Sequence, residues 1–362
     1  MALKVGDGFD HYSTLADLQA RSGALQWSDI DAAGLSFVTG RGGYGYAVSL
    51  SASASGGAQM GGSFNANYAS AFVGCALQVQ PYGLAYVDFQ VVDYIGGSAQ
   101  LTFRCLIDGG AIVAYLGDPA FGSTTILATS PPNAFSPYIW ERYEINAGIG
   151  AAGSFDFHVQ GSSVFGGGVS GVNTEATGNA FFNGFRVRCS NIAEGLIEPG
   201  VYIDDFTLND GTTGPGTYPL NGFLGDCAYR TVFTTANHSV QWTPLTSQNY
   251  VEVGEVAFDR DTSYNYATTV GNTDLFTFGS LPTTTSAVFG VQITGGYRKL
   301  DASGQTIVQI LDSGGTMQNG TAWAMSLDWA FYTDLAVLDP STSATWTPTA
   351  VNALIAGYKL NS

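Results

Sequence analysis

The chain has 362 residues, of which 45% are hydrophobic and only 11% charged, and its net charge is −17 with three lysines, Lys4, Lys299 and Lys359. So much apolar residue excludes disorder over most of the length. The absence of any basic cluster excludes a phosphate-neutralising surface for nucleic acid, and an anionic membrane would repel the protein. No apolar run approaches the ~18–20 residues that span a bilayer.

The amino terminus, Met-Ala-Leu-Lys-Val-Gly-Asp-Gly, carries neither a basic nor an apolar signal region, so synthesis in the cytoplasm is expected. Thr14-Leu-Ala-Asp17 is a capping-box variant that predicts one short helix running toward Arg21. Ser53–Gly62, dense in glycine, reads as a loop. From about residue 70 the segments 83–92, 100–107, 138–145 and 154–160 are rich in Val, Ile, Phe, Tyr and Thr, and turn residues bound them. Regular strands at this spacing predict an all-β jelly-roll sandwich. After a strand at 201–208, the run Asn209 to Pro219 combines turn formers with no apolar period. It divides the chain into a sandwich domain at 1–210, a linker at 211–220 and a smaller β-rich domain at 221–362. Thr347-Pro348 predicts an N-cap for a short helix over 350–356 that Gly357 ends, with Tyr358–Leu360 as a last strand. Cys75, Cys105, Cys189 and Cys227 share no C-x-x-C spacing and are expected to be free thiols, mostly buried.

Three stretches, Gly8-Phe9-Asp10-His11-Tyr12, Gly40-Arg41-Gly42-Gly43 and Tyr202-Ile203-Asp204-Asp205-Phe206, resemble the amino-terminal concanavalin-A/laminin-G-like sandwich of tailed-bacteriophage virion structural proteins. Phe223-Leu-Gly-Asp-Cys227, Gln241-Trp-Thr-Pro244, Asp261-Thr-Ser-Tyr264, Trp346-Thr-Pro348 and Val351-Asn-Ala353 are similar to the carboxy-terminal module of the same proteins. The resemblance runs over nearly the whole chain. It implies a virion component made in the host cytoplasm, placed as outer capsid decoration, neck or tail-fibre protein. Its partners would be other virion proteins and identical copies of itself, in keeping with a surface poor in charge. A receptor- or glycan-binding adhesin on the phage tail, meeting a host surface glycan, is the first alternative. A glycan-cleaving enzyme is the second.

Catalysis finds little support in the residues. Sandwich-fold glycoside hydrolases place carboxylates on one strand face as Glu-x-Asp-x-Glu, and that motif is absent. Glu141 and Glu144 stand three apart, and Asp204 and Asp205 are adjacent, so each pair should split between opposite faces. Asp259 and Asp261 have the right spacing but precede Thr-Ser-Tyr in a predicted turn. His11, His158 and His238 lie in unrelated contexts, and no Gly-x-Ser-x-Gly elbow occurs. We therefore expect no enzyme.

Lectin-like sandwiches hold sugars by stacked aromatics and a few polar groups, sometimes with calcium held by acidic loops. The carbohydrate-binding candidates are Tyr44, Tyr46, Tyr82, Tyr94, Trp140 and Trp242. Asp204 and Asp205 are the candidates for calcium, the one cofactor the sequence would suit.

Overall fold

The computed structural model describes residues 3–31, 34–51, 57–80, 84–191, 199–211, 222–256 and 258–362. Sixteen strands build the first half. In chain order they are Leu3–Asp7 (β1), Leu25–Ile30 (β2), Leu35–Thr39 (β3), Tyr46–Ser51 (β4), Ala58–Tyr68 (β5), Ser70–Val79 (β6), Leu84–Asp93 (β7) and Ser98–Leu106 (β8). There follow Ile112–Leu116 (β9), Ile126–Thr129 (β10), Trp140–Gly148 (β11), Gly153–Val159 (β12), Ser162–Ser163 (β13), Val169–Val172 (β14), Phe182–Asn191 (β15) and Pro199–Asn209 (β16). A nine-stranded sheet runs β13-β12-β11-β6-β16-β4-β3, with β1 also on β16 and β14 on β12. A seven-stranded sheet runs β10-β9-β8-β7-β15-β5-β2. The two form the expected jelly-roll sandwich.

Alternation explains the packing. Val87, Phe89 and Val91 of β7 point inward with Leu101 and Phe103 of β8, and meet Tyr143, Phe155 and Phe157 from the opposite sheet. Phe89 stacks on Tyr143 at 5.0 Å, and Phe103 lies 5.1 Å from Phe157. Such ring pairs add about 0.5–1.5 kcal/mol each beyond the area they bury. The residues between them in sequence, such as Asp88, Gln90 and Thr102, are polar and lie on the side of the sheet away from this core, where they are buried as well.

Strands fill the chain before residue 70 as well, from β1 to β5. The loop expected at 53–62 is also overtaken, because Ala58–Gly62 open β5; residues 52–56 lie outside the described residues. The glycines there serve close approach rather than a turn. A Cβ on Gly61 would stand 2.6 Å from the Tyr94 hydroxyl, and one on Gly62 would stand 2.6 Å from Leu25 Cδ1.

The second half carries Thr234–Ser239 (β17), Thr243–Pro244 (β18), Asn265–Tyr266 (β19), Thr273–Phe278 (β20), Val291–Tyr297 (β21), Thr306–Ser313 (β22) and Thr316–Ala324 (β23). Ala330–Ala336 (β24), Leu338–Asp339 (β25), Ala344–Thr345 (β26) and Ile355–Leu360 (β27) complete it. Its main sheet has the order β17-β20-β27-β22-β23, and β21 pairs with β24 beside it. Three short α-helices occur among the described residues: Leu15–Gln19 (α1), Asn249–Glu252 (α2) and Pro348–Asn352 (α3). Thr14 and Thr347 cap α1 and α3 as their sequences predict, each hydroxyl accepting from the amide three residues on. Gly357 does not end α3. It lies inside β27, where a Cβ would collide with the Asp274 carbonyl.

The two halves interlock. The strands of the sandwich come from 3–209 and those of the five-stranded sheet from 234–360. Residues 222–231 nevertheless lie across the outer face of the nine-stranded sheet. Phe223 stacks on His158 at 3.5 Å, and Glu144 accepts from the amides of Leu224 and Gly225. Phe331, at the start of β24, is a member of the sandwich core and meets Tyr12 edge-on at 5.4 Å. Apart from Gly211, the linker expected at 211–220 lies outside the described residues.

Candidate ligand-binding face

The outer face of the seven-stranded sheet concentrates polar chemistry. Strand register aligns Arg186 with Gln90, Gln90 with Thr102 and Thr102 with Tyr115 in one row across β15, β7, β8 and β9. In the next row Arg188 faces Asp88, and Asp88 faces Arg104. Neighbouring strands lie ~4.8 Å apart, so these side chains form a continuous layer.

The layer is an ion-pair lattice. Arg104 grips Asp88 with two parallel bonds of 2.8 and 2.9 Å. Arg188 donates to Asp88 at 2.7 Å and to both oxygens of Asp118 at 2.7 and 3.0 Å. Arg186 reaches Gln90 Oε1 at 2.6 Å, and Asp29 and Asp118 at 3.2 Å each. Gln90 passes the chain on to Thr102, whose hydroxyl donates to the Gly117 carbonyl. Burial would raise the Asp118 carboxyl, but the Arg188 guanidinium and the Ala120 amide outweigh it and hold the group below the usual carboxylate range. Asp118 therefore stays charged. Its backbone opens the short turn Pro119–Phe121, which leaves the Phe121 ring 82% exposed beside the lattice.

Aromatic rings flank the charges. The Arg104 guanidinium lies 3.5 Å above the Tyr86 ring and 5.7 Å from Tyr115, so it is stacked as well as paired. Three arginines (Arg104, Arg186 and Arg188) balance three aspartates (Asp29, Asp88 and Asp118), and the face carries donors and acceptors without net charge. Chemically that suits hydroxyl-rich, uncharged ligands, for which bidentate guanidinium and carboxylate groups set orientation.

The candidates drawn from the sequence do not converge. Tyr94 alone joins this face: its hydroxyl donates to Asp29 at 3.2 Å, and its ring covers Gly184. Burial, with Asp29 beside it, pushes the Tyr94 hydroxyl well above its ordinary value, which makes it a poor base. Tyr44 stands 55% exposed in the turn before β4 with Arg230 over its ring, and Tyr46 begins that strand. Trp140 packs near Tyr202 on the outer face of the nine-stranded sheet. Trp242 belongs to the second half, edge-on to Tyr358 and bonded to the Asn272 carbonyl. Tyr82 lies outside the described residues.

Asp204 and Asp205 depart from the expectation that adjacent carboxylates split between faces. A bulge in β16, with Asp205 at φ +54°, inserts one residue and brings both to Arg41. Asp204 accepts the Arg41 amide at 2.8 Å, and Asp205 faces its guanidinium at 3.4 Å. The remaining oxygens take the amides of Asp205 and Tyr229. All four oxygens are thus engaged by protein donors, and the pair fastens residues 226–229 to the sandwich. Burial first, and the Asp205 charge second, push Asp204 up to about 8. Among the described residues, no group of three or more His, Cys, Asp and Glu is placed to hold a metal ion. Glu141 and Glu144 do split between faces: Glu141 accepts from the buried Tyr143 hydroxyl and Glu144 from Leu224. Asp259 closes a turn onto Ser263, as its sequence suggests.

The lattice left a trace that carboxylate spacing alone does not catch. Tyr86-x-Asp88-x-Gln90, Gln100-x-Thr102-x-Arg104 and Arg186-x-Arg188 each put polar groups at period two inside otherwise apolar strands.

No family model matches the chain, and no curated protein does. Solved structures do share its sandwich. An endo-β-1,4-glucuronan lyase from the fungus Trichoderma reesei is 14% identical, with 57% of this chain and 95% of that one covered at a TM-score of 0.38. Alginate lyase vAL-1 from Chlorella virus is 12% identical over 58% and 98%, at 0.40. The CBM2 module of the evolved Dit of Lactobacillus casei BL23 phage J-1 is 11% identical over 57% and 88%, at 0.32. Likeness at this level assigns no residue of this chain a role.

Proposed function

We propose that the protein is a glycan-binding component of a tailed-phage particle, carried in several identical copies, that holds a neutral glycan on the outer face of its seven-stranded sheet. The observation that carries this reading is the charge-balanced Arg104–Asp88–Arg188–Asp118 lattice, stacked on Tyr86 and bordered by the exposed Phe121. A glycan residue presents apolar C–H faces to rings and hydroxyls to fixed polar groups. Here the guanidinium edges of Arg104, Arg186 and Arg188 and the Phe121 ring reach solvent, above carboxylates that are buried and fix them. The placement on a virion rests on the motif order along the chain and on its shortage of charge. Binding rather than cleavage is the proposed role, because the aspartates of the lattice are held by arginines and Tyr94, bonded to Asp29, keeps its proton.

The test is titration of the intact protein with neutral bacterial surface polysaccharides, followed by Arg104→Ala and Phe121→Ala. Saturable binding that weakens at least about tenfold in both variants is expected, the loss of one good contact each. Binding by neither the parent nor the variants, or binding indifferent to both substitutions, would remove the assignment.

A further inference from the structure

The second half contains a cleft of about 220 Å3 between the β22–β23 hairpin and the β21–β24 pair. Its volume falls below the ~300–1,000 Å3 of pockets that enclose drug-sized ligands. One small ring is therefore the scale of its occupant.

The lining divides into two parts. Leu311 and Ile293 give an apolar floor, while Gln309, Gln318 and Asp334 supply amides and one carboxylate. No basic side chain is present in it. Gln309 is 1% exposed, and its Nε2 donates to the Tyr332 carbonyl at 3.1 Å. Its Oε1 has no hydrogen-bond partner. A buried acceptor left without a donor has lost its hydration with nothing in return, so this oxygen favours an occupant that brings an O–H. Asp334 is held by the Thr321 amide and the Trp323 indole, at 3.0 and 3.1 Å, and each carboxylate oxygen keeps a further lone pair for a ligand. Gly320 allows this arrangement, since a Cβ there would collide with Asp334.

We infer that this cleft is a binding site for one neutral sugar residue, independent of the sandwich face. The apolar floor takes the C–H face of the ring. Gln309 Oε1 and Asp334 accept from its hydroxyls, and the exposed amide of Gln318, opposite Leu311 in the β22–β23 ladder, closes the rim. The lone carboxylate turns away anionic sugars. A cation would need more carboxylates than the one present.

Saturation-transfer NMR on the full chain tests the inference, with the methyl glycosides of glucose, galactose, mannose and N-acetylglucosamine at millimolar concentration. At least one should bind saturably, and Gln309→Leu should weaken it at least about tenfold. Gln318→Ala, on a strand exposed along most of its length, should weaken the same sugar without disturbing the fold. Arg104→Ala should leave this binding intact, which separates the cleft from the sandwich face. Failure of all four glycosides, or binding that survives both cleft substitutions, would overturn the site. So would binding abolished by Arg104→Ala alone.

Discussion

The two outer faces of the sandwich are built from the same materials and partnered differently. On the nine-stranded sheet, Arg142, Glu144, Asp204 and Asp205 are covered by the chain itself. Arg142 is fully buried and donates to the Asp205 carbonyl and the Thr207 hydroxyl, while Glu144 takes two amides of the segment laid over it. On the seven-stranded sheet, Arg104, Arg186 and Arg188 are paired within the sheet and keep part of their surface in solvent. Charge composition alone does not separate a structural clasp from a ligand face. What separates them is whether the polar groups find partners within their own layer or in a strap crossing above it.

Substitution should expose the difference. The largest effect is expected from Arg142→Leu, which leaves Glu144, Asp205 and Thr207 without their buried partner. Breaking a buried pair in this way costs about 3–5 kcal/mol, readable as a lower urea midpoint. The same measurement on Arg104→Ala should show about 1–2 kcal/mol, because Asp88 keeps Arg188 and the lost guanidinium was 13% exposed. Equal losses would mean that both faces are structural.

An intermediate effect is expected at Gly6, where any Cβ would overlap the Tyr229 ring that rests on β1. Gly6→Ala should cost about 1–3 kcal/mol and speed proteolysis near residues 222–231. In the Gly6→Ala background, Tyr229→Ala should recover part of that loss. A double variant no better than additive would show that the strap is not held there.

A separate contrast concerns pH. Asp204 ordinarily titrates near 3.8 and is pushed up to about 8, so the folded protein binds its proton more tightly than the unfolded chain does. Its contribution is fully present in acid and is lost as pH rises from about 4 through 8. Burial raises Asp10 and Asp205 in the same direction. Hydrogen exchange of residues 222–231 should accelerate between pH 6 and 9 beyond its intrinsic rate, and Asp204→Asn should flatten the trend. The lattice should show no such dependence, since Asp118 is held below the usual carboxylate range.

These contrasts also mark what the sequence could tell. Period-two alternation located β7, β8, β11, β12 and β16 to within two residues at most ends, while β6, β15, β22 and β23 were not singled out. Hydroxyl caps placed both predicted helices, because these signals are local. The glycine-rich β5 was hidden, since glycines that permit close packing look the same in sequence as glycines that turn the chain. The clasp was hidden by the β16 bulge, which one residue in a left-handed conformation creates without any spacing signal. The lattice was half visible. Its polar residues sit at readable positions, but their pairing depends on strands up to 100 residues apart meeting in register, as Arg188 meets Asp88.

The central claim, that one face is bound by the chain and the other by a glycan, is tested most directly by hydroxyl-radical footprinting. The protein would be labelled with and without the polysaccharide it binds best. Protection of Tyr86, Tyr115 and Phe121, with Phe223 and Tyr229 unchanged, is the predicted result. Protection confined to the strap, or no protection on the seven-stranded sheet while the glycan remains bound, would contradict it.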